Sequence, residues 1–82
     1  MKIKVVEVVF YDVENDNGWF QFDARKLKEI KTLKAYGILV HRDEDWVVLS
    51  FTHNPGAADW CGSLAIPTKI VRSVRILKST EV

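Results

Sequence analysis

The run Gly37-Ile38-Leu39-Val40-His41-Arg42-Asp43-Glu44-Asp45-Trp46-Val47-Val48-Leu49-Ser50-Phe51-Thr52-His53 decides the fold of this chain. Val47, Leu49 and Phe51 alternate with Val48, Ser50 and Thr52, which is the period of a strand with one face on a core and the other toward solvent or a partner. Asp43-Glu44-Asp45 forms a tight acidic turn between this strand and the one that begins at Gly37. Asn54-Pro55-Gly56 is a turn signal that closes the second strand. Beyond a small-residue loop, Ala57-Ala58-Asp59, and Trp60, residues 62–66 resume as a strand. Pro67 then withholds a backbone donor and forces a corner, and Ile70 to Lys78 is the last strand. Two strands joined by a turn, followed by two joined at a proline corner, describe a small and strongly bent sheet. Closure into a barrel is one way such a sheet removes its exposed edges.

Upstream of this run, residues 2–11 are rich in β-branched and aromatic side chains and read as a strand. Val5 with Val6, and Val8 with Val9, place apolar groups on both faces. A strand buried on both sides has this pattern, and so has an edge strand that pairs with another subunit. Asp12 to Gly18 is a turn-rich connection ending in Asn17-Gly18. Asp23 is positioned to cap a helix from about Ala24 to Tyr36, with Leu27, Ile30 and Leu33 as its apolar stripe and Gly37 as its C′ residue. Arg25, Lys28 and Lys31, flanked by Lys26 and Lys34, make the opposite face of that helix basic.

Eighty-two residues are expected to form a single domain, 1–82. A chain this short buries only about 60% of its unfolded surface and gains from pairing with copies of itself. With 48% hydrophobic and 28% charged residues it is a folding sequence, not a disordered one. A net charge of +1 rules out a polycation, so nucleic-acid binding requires a local patch. The lone Cys61 cannot form an intrachain disulfide, which fits a reducing cytoplasm. Lys2, Lys4 and Glu7 interrupt the valines, so the roughly 7–15-residue apolar core of a signal peptide is missing. No run approaches the roughly 20 apolar residues of a membrane span. The expectation is a cytoplasmic protein without a membrane role.

The order of an opening helix, a hairpin from Gly37 and a strand–corner–strand unit resembles the Sm-like small barrels, ring-forming proteins that usually handle RNA. Gly37-Ile38-Leu39, Val48-Leu49 after the acidic turn, and Ile66, Ile70, Val74 and Ile76 carry the resemblance, which covers Asp23 to Leu77. It implies a five-stranded antiparallel barrel with one helix near its N-terminal end, assembled as a homo-oligomer. The family's Asp-x-Met-Asn turn, whose Asn grips the base, is here Asp43-Glu44-Asp45-Trp46. Its Arg-Gly or Lys-Gly pair is here Pro67-Thr68-Lys69. The resemblance therefore implies the barrel and not that family's RNA pocket. Gly18-Trp19, the run Gly37 to Asp45, and Cys61 to Pro67 also resemble a group of small uncharacterised phage and prophage proteins. Phage origin, with a host-cytoplasmic location, is what that likeness implies.

Trp19, Trp46 and Trp60 each follow a turn, where a large ring meets the rim of a sheet. Such rings serve as stacking platforms for bases or as plugs and subunit contacts. The cations of the 24–36 segment either hold phosphates or form a solvated face. The acidic turn is a solvated hairpin tip, or in a ring a contact for a neighbour's basic helix. His53, Asp59 and Cys61 invite a reading as nucleophile, base and orienting acid, yet an 82-residue barrel offers little room for a substrate cleft. With His41 they also lack the paired spacing of a zinc site, and Cys61 reads as a small hydrophobe. The sequence thus predicts a non-enzymatic, cofactor-free, homo-oligomeric binding module for RNA or a nucleotide. Its ligand residues are Arg25, Lys28, Lys31, Trp46 and Trp60. The alternative is a structural protein that self-assembles or docks to a host or virion protein.

Overall fold

The computed structural model describes residues 2–12, 31–54 and 59–81. Along the chain come β1 (Lys2–Tyr11), β2 (Thr32–Arg42), β3 (Trp46–Asn54), β4 (Asp59–Pro67), a 3-10 turn (Thr68–Ile70) and β5 (Val71–Glu81). All five strands belong to one antiparallel sheet in the order β4-β3-β2-β1-β5. β1 lies between β2 and β5, so it is a central strand. That accounts for its apolar groups on both faces: Val6 and Val8 are fully buried, and Val5 and Val9 are half-buried.

Register shows where the sheet bends. β1 pairs with the first part of β2, from Tyr11 opposite Thr32 to Val5 opposite Ile38. β3 pairs with the second part, from Ile38 opposite Ser50 to Arg42 opposite Val47, with a bulge between Leu39 and His41. The two ladders share only Ile38, so β2 passes from one layer, β2–β1–β5, into another, β2–β3–β4. Gly37 stands at that passage, where a side chain would crowd its neighbours. A Cβ there would lie 3.0 Å from the Ser50 carbonyl oxygen and 3.3 Å from the Leu49 Cβ. Val6 and Val8 of the first layer and Val47, Leu49 and Ile66 of the second form one buried cluster, backed by Phe10, Ala35, Leu39, Ile70, Val71 and Val74. Alternation in β3 puts Val47 and Leu49 inward as the sequence predicts, while Phe51 on the same face is exposed.

The β2–β3 hairpin turns on Asp43. Its Oδ1 accepts the backbone N–H groups of Asp45 (2.8 Å) and Trp46 (2.7 Å), and its Oδ2 lies 2.6 Å from Nε2 of His41. The Thr68 hydroxyl donates to the Asp43 carbonyl at 3.0 Å, and the Thr68 N–H to the Asp45 carbonyl at 2.9 Å. The acidic turn is therefore a built corner tied to the 3-10 turn, not a loose tip.

Several expectations need correction. The sheet is open: β4 and β5 lie at its two ends and do not pair, so it is not a closed barrel. Between them Pro67 and the 3-10 turn carry the chain from β4 to β5. The helix expected from about Ala24 to Tyr36 is strand from Thr32 onward, and residues 24–30 lie outside the described residues. Pairing with β1 wins over the spacing-three pattern, because Leu33 and Ala35 fall opposite Phe10 and Val8 of the core face. Gly37 accordingly sits inside a strand, not beyond a helix. β4 begins at Asp59 instead of residue 62, and β5 at Val71 instead of Ile70. Among the described residues no helix is long and apolar enough to cross a membrane.

Candidate functional site

Of the expected ligand residues, Lys31, Trp46 and Trp60 are among those described, and the two tryptophans lie apart. Arg25 and Lys28, like Trp19, lie outside the described residues. Lys31 is exposed just ahead of β2, where its carbonyl accepts the Asp12 N–H at 2.8 Å. Trp46 opens β3 opposite Pro67, and Trp60 pairs with His53 at the far end of the same hairpin. Seven residues of strand separate the two rows, roughly 23 Å. Strand alternation also sends the rings to opposite faces, since Trp46 adjoins the inward Val47 while His53 and Trp60 share the face of Leu49. One base cannot touch both. Trp60 is already stacked on His53, with centroids 4.3 Å apart and planes at 29°. Nε2 of His53 is buried without a hydrogen-bond partner.

The nucleophile reading fares no better. Cys61 pairs with Thr52 and His53 with Trp60, so thiol and imidazole occupy successive rows and opposite faces. Among the described residues no group of three or more His, Cys, Asp and Glu side chains could hold a metal ion.

A different constellation appears on the outward face of the β2–β1–β5 layer. Tyr36, Glu7 and Arg75 form one row across three strands. Glu7 is 8% exposed, although it faces away from the core. The Tyr36 hydroxyl donates to its carboxylate, and that acceptor raises the phenol above its ordinary pKa. Nη2 of Arg75 donates to Oε2 at 3.3 Å, and the Arg75 side chain is two-thirds exposed. A buried carboxylate needs such partners, and here they come from neighbouring strands. Further along the same face, Lys34 stands opposite Val9, Lys78 opposite Val5, and the exposed Tyr11 opposite Thr32. Glu7 is the single carboxylate among the described residues of this face, and Arg75 offsets it. The exposed Asp43, Glu44 and Asp45 are gathered instead at the β2–β3 turn of the other layer. Lys34, Arg75 and Lys78 thus give the described residues of this face a net positive charge.

In the sequence this face is hidden by the helical spacing that ends at Tyr36. The available signal was Glu7, a lone acid within a run of valines, and Arg75 between Val74 and Ile76. No family model, curated protein or solved structure matches the chain.

Proposed function

We propose that the protein is a non-catalytic binding module of phage type that assembles with copies of itself and takes RNA or a nucleotide as its ligand. The observation that carries this reading is the open sheet. β4 and β5 have no strand beside their outer edges among the described residues. Unpaired edges are templates for another chain. Ile76 and Leu77 on β5 and Leu64 on β4 remain exposed beside those edges, so a neighbour gains apolar burial together with backbone hydrogen bonds. The ligand half of the reading is supported by Lys34, Arg75 and Lys78 sharing one sheet face with Tyr36 and Tyr11, where Glu7 is the single carboxylate among the described residues.

A native-mass and thermal-shift screen against short RNA and mono-, di- and cyclic nucleotides tests both halves. The expected result is a mass above 9.4 kDa and a raised melting temperature with at least one of these ligands. An oligomer that no RNA or nucleotide shifts would favour the structural, protein-docking reading instead. A monomer at every concentration would remove the assembly.

A further inference from the structure

We infer that the outward face of the β2–β1–β5 layer is a platform for single-stranded nucleic acid, with Tyr36 stacking on a base and Lys34, Arg75 and Lys78 meeting phosphates. This rests on the proposed RNA or nucleotide ligand and moves its site away from the tryptophans and the 24–31 cations.

Three observations point to this occupant. Tyr36 is 52% exposed in the Glu7 row, and its hydroxyl faces the Glu7 carboxylate, so half of its surface is open to a ligand. A flat ring on a sheet surface stacks on any unpaired base, whereas bases inside a duplex are covered by their neighbours. Arg75 spends one contact on Glu7, and its side chain remains two-thirds exposed, with further guanidinium N–H groups to offer a phosphate. Lys34 and Lys78 are exposed, and Glu7, the one carboxylate among the described residues of this face, is engaged by Arg75. The described residues of this face therefore carry a net positive charge, which favours a polyanion.

The spacing favours a strand over a lone nucleotide. Lys34 lies on the Val9 row of β2 and Lys78 on the Val5 row of β5, with β1 between. That is four residues along and two strand widths across, roughly 16 Å on the diagonal. Tyr36 and Arg75 occupy the intervening Glu7 row. A chain of several nucleotides laid obliquely across β1 meets all of them in turn. A single phosphate reaches one end only. Glu7 is a positioning residue: it fixes the phenol and the guanidinium on either side of β1 and leaves the face with a net positive charge.

Fluorescence anisotropy with a labelled 12-mer tests the platform, run as single-stranded RNA, single-stranded DNA and RNA duplex over a salt series. The single strands are expected to bind and the duplex to bind more weakly. Tyr36→Ala should weaken single-strand binding on the order of ten-fold. Lys34→Ala and Lys78→Ala should each flatten the dependence of log affinity on log salt by about 0.7. These two side chains are exposed, so the fold survives their loss even if Tyr36→Ala disturbs it. Lys69→Ala removes the same charge from the 3-10 turn and should leave both affinity and slope unchanged. Binding that ignores Lys34, Lys78 and Tyr36 would overturn the platform while leaving the proposed function intact. Binding of free nucleotides without any binding of strands would also overturn it. Silence toward every strand and every nucleotide would overturn both.

Discussion

Asp43 concentrates three interactions in one exposed carboxylate, and its proton equilibrium records them. The His41 hydrogen bond, followed by the backbone N–H groups of Trp46 and Asp45, lowers its pKa from 3.8 to about 2. A carboxylate that is more acidic folded than unfolded stabilises the fold fully above its unfolded pKa and loses that contribution as pH falls through the folded one. The melting temperature should therefore fall between about pH 4 and pH 2 in the wild type. Asp43→Asn, which cannot ionise, should show a flatter profile across that window. A wild-type profile no steeper than that of the variant would remove the turn from the account of acid stability. At Gly37 the constraint is steric. Gly37→Ala presses a methyl group against a backbone carbonyl at 3.0 Å, and a carbonyl inside a ladder cannot swing aside. Urea denaturation should show a loss of about 1–3 kcal/mol, the usual cost of an overpacked site. A neutral result would mean that β2 can widen its bend. Gly62, with φ of 73° and the Phe51 ring 3.2 Å from a would-be Cβ, is the other position where a side chain is strained.

At the scale of elements, β2 separates what the sequence discloses from what it hides. The β2–β3 hairpin is legible because Val47 and Leu49 alternate cleanly and Asp43-Glu44-Asp45 supplies a turn that its own side chain closes. The Pro67 corner is legible because a missing N–H has few places in a sheet. The first part of β2 is not. Its inward positions are Leu33, Ala35, Gly37 and Leu39, and the small residues in the middle erase the period-two signal. Leu27, Ile30 and Leu33 meanwhile imitate one side of a helix. Once Tyr36 is placed in a helix, its row with Glu7 and Arg75 cannot be found, since those partners are 29 and 39 positions away in opposite directions along the chain. The tryptophan positions at turn exits were readable. That Trp46 and Trp60 point to opposite faces required the register.

For the whole molecule, openness is the property with consequences for solution behaviour. If copies meet at the β5 edge, a charge on its exposed apolar pair should break the contact without touching the core. Ile76→Lys with Leu77→Lys is expected to shift the oligomer toward monomer in light scattering and leave the circular dichroism spectrum strand-like. Should the oligomer persist, the β5 edge is not the contact. Edge strands carrying lysine are a common protection against such pairing, and Lys78 beside Leu77 shows that β5 is already partly protected.

The contact between β1 and β5 also governs how the native state can be reached. Glu7 and Arg75 face each other across a separation of 68 positions, whereas the β2–β3 and β3–β4 hairpins close over short loops. Local hairpins form within microseconds, but a pairing of such long range must wait for most of the chain to be gathered. Until then one side of β1 offers bare backbone and valines to any other molecule. The rate at which β5 docks, more than the strength of the finished core, therefore sets how long a nascent or refolding molecule is exposed to aggregation.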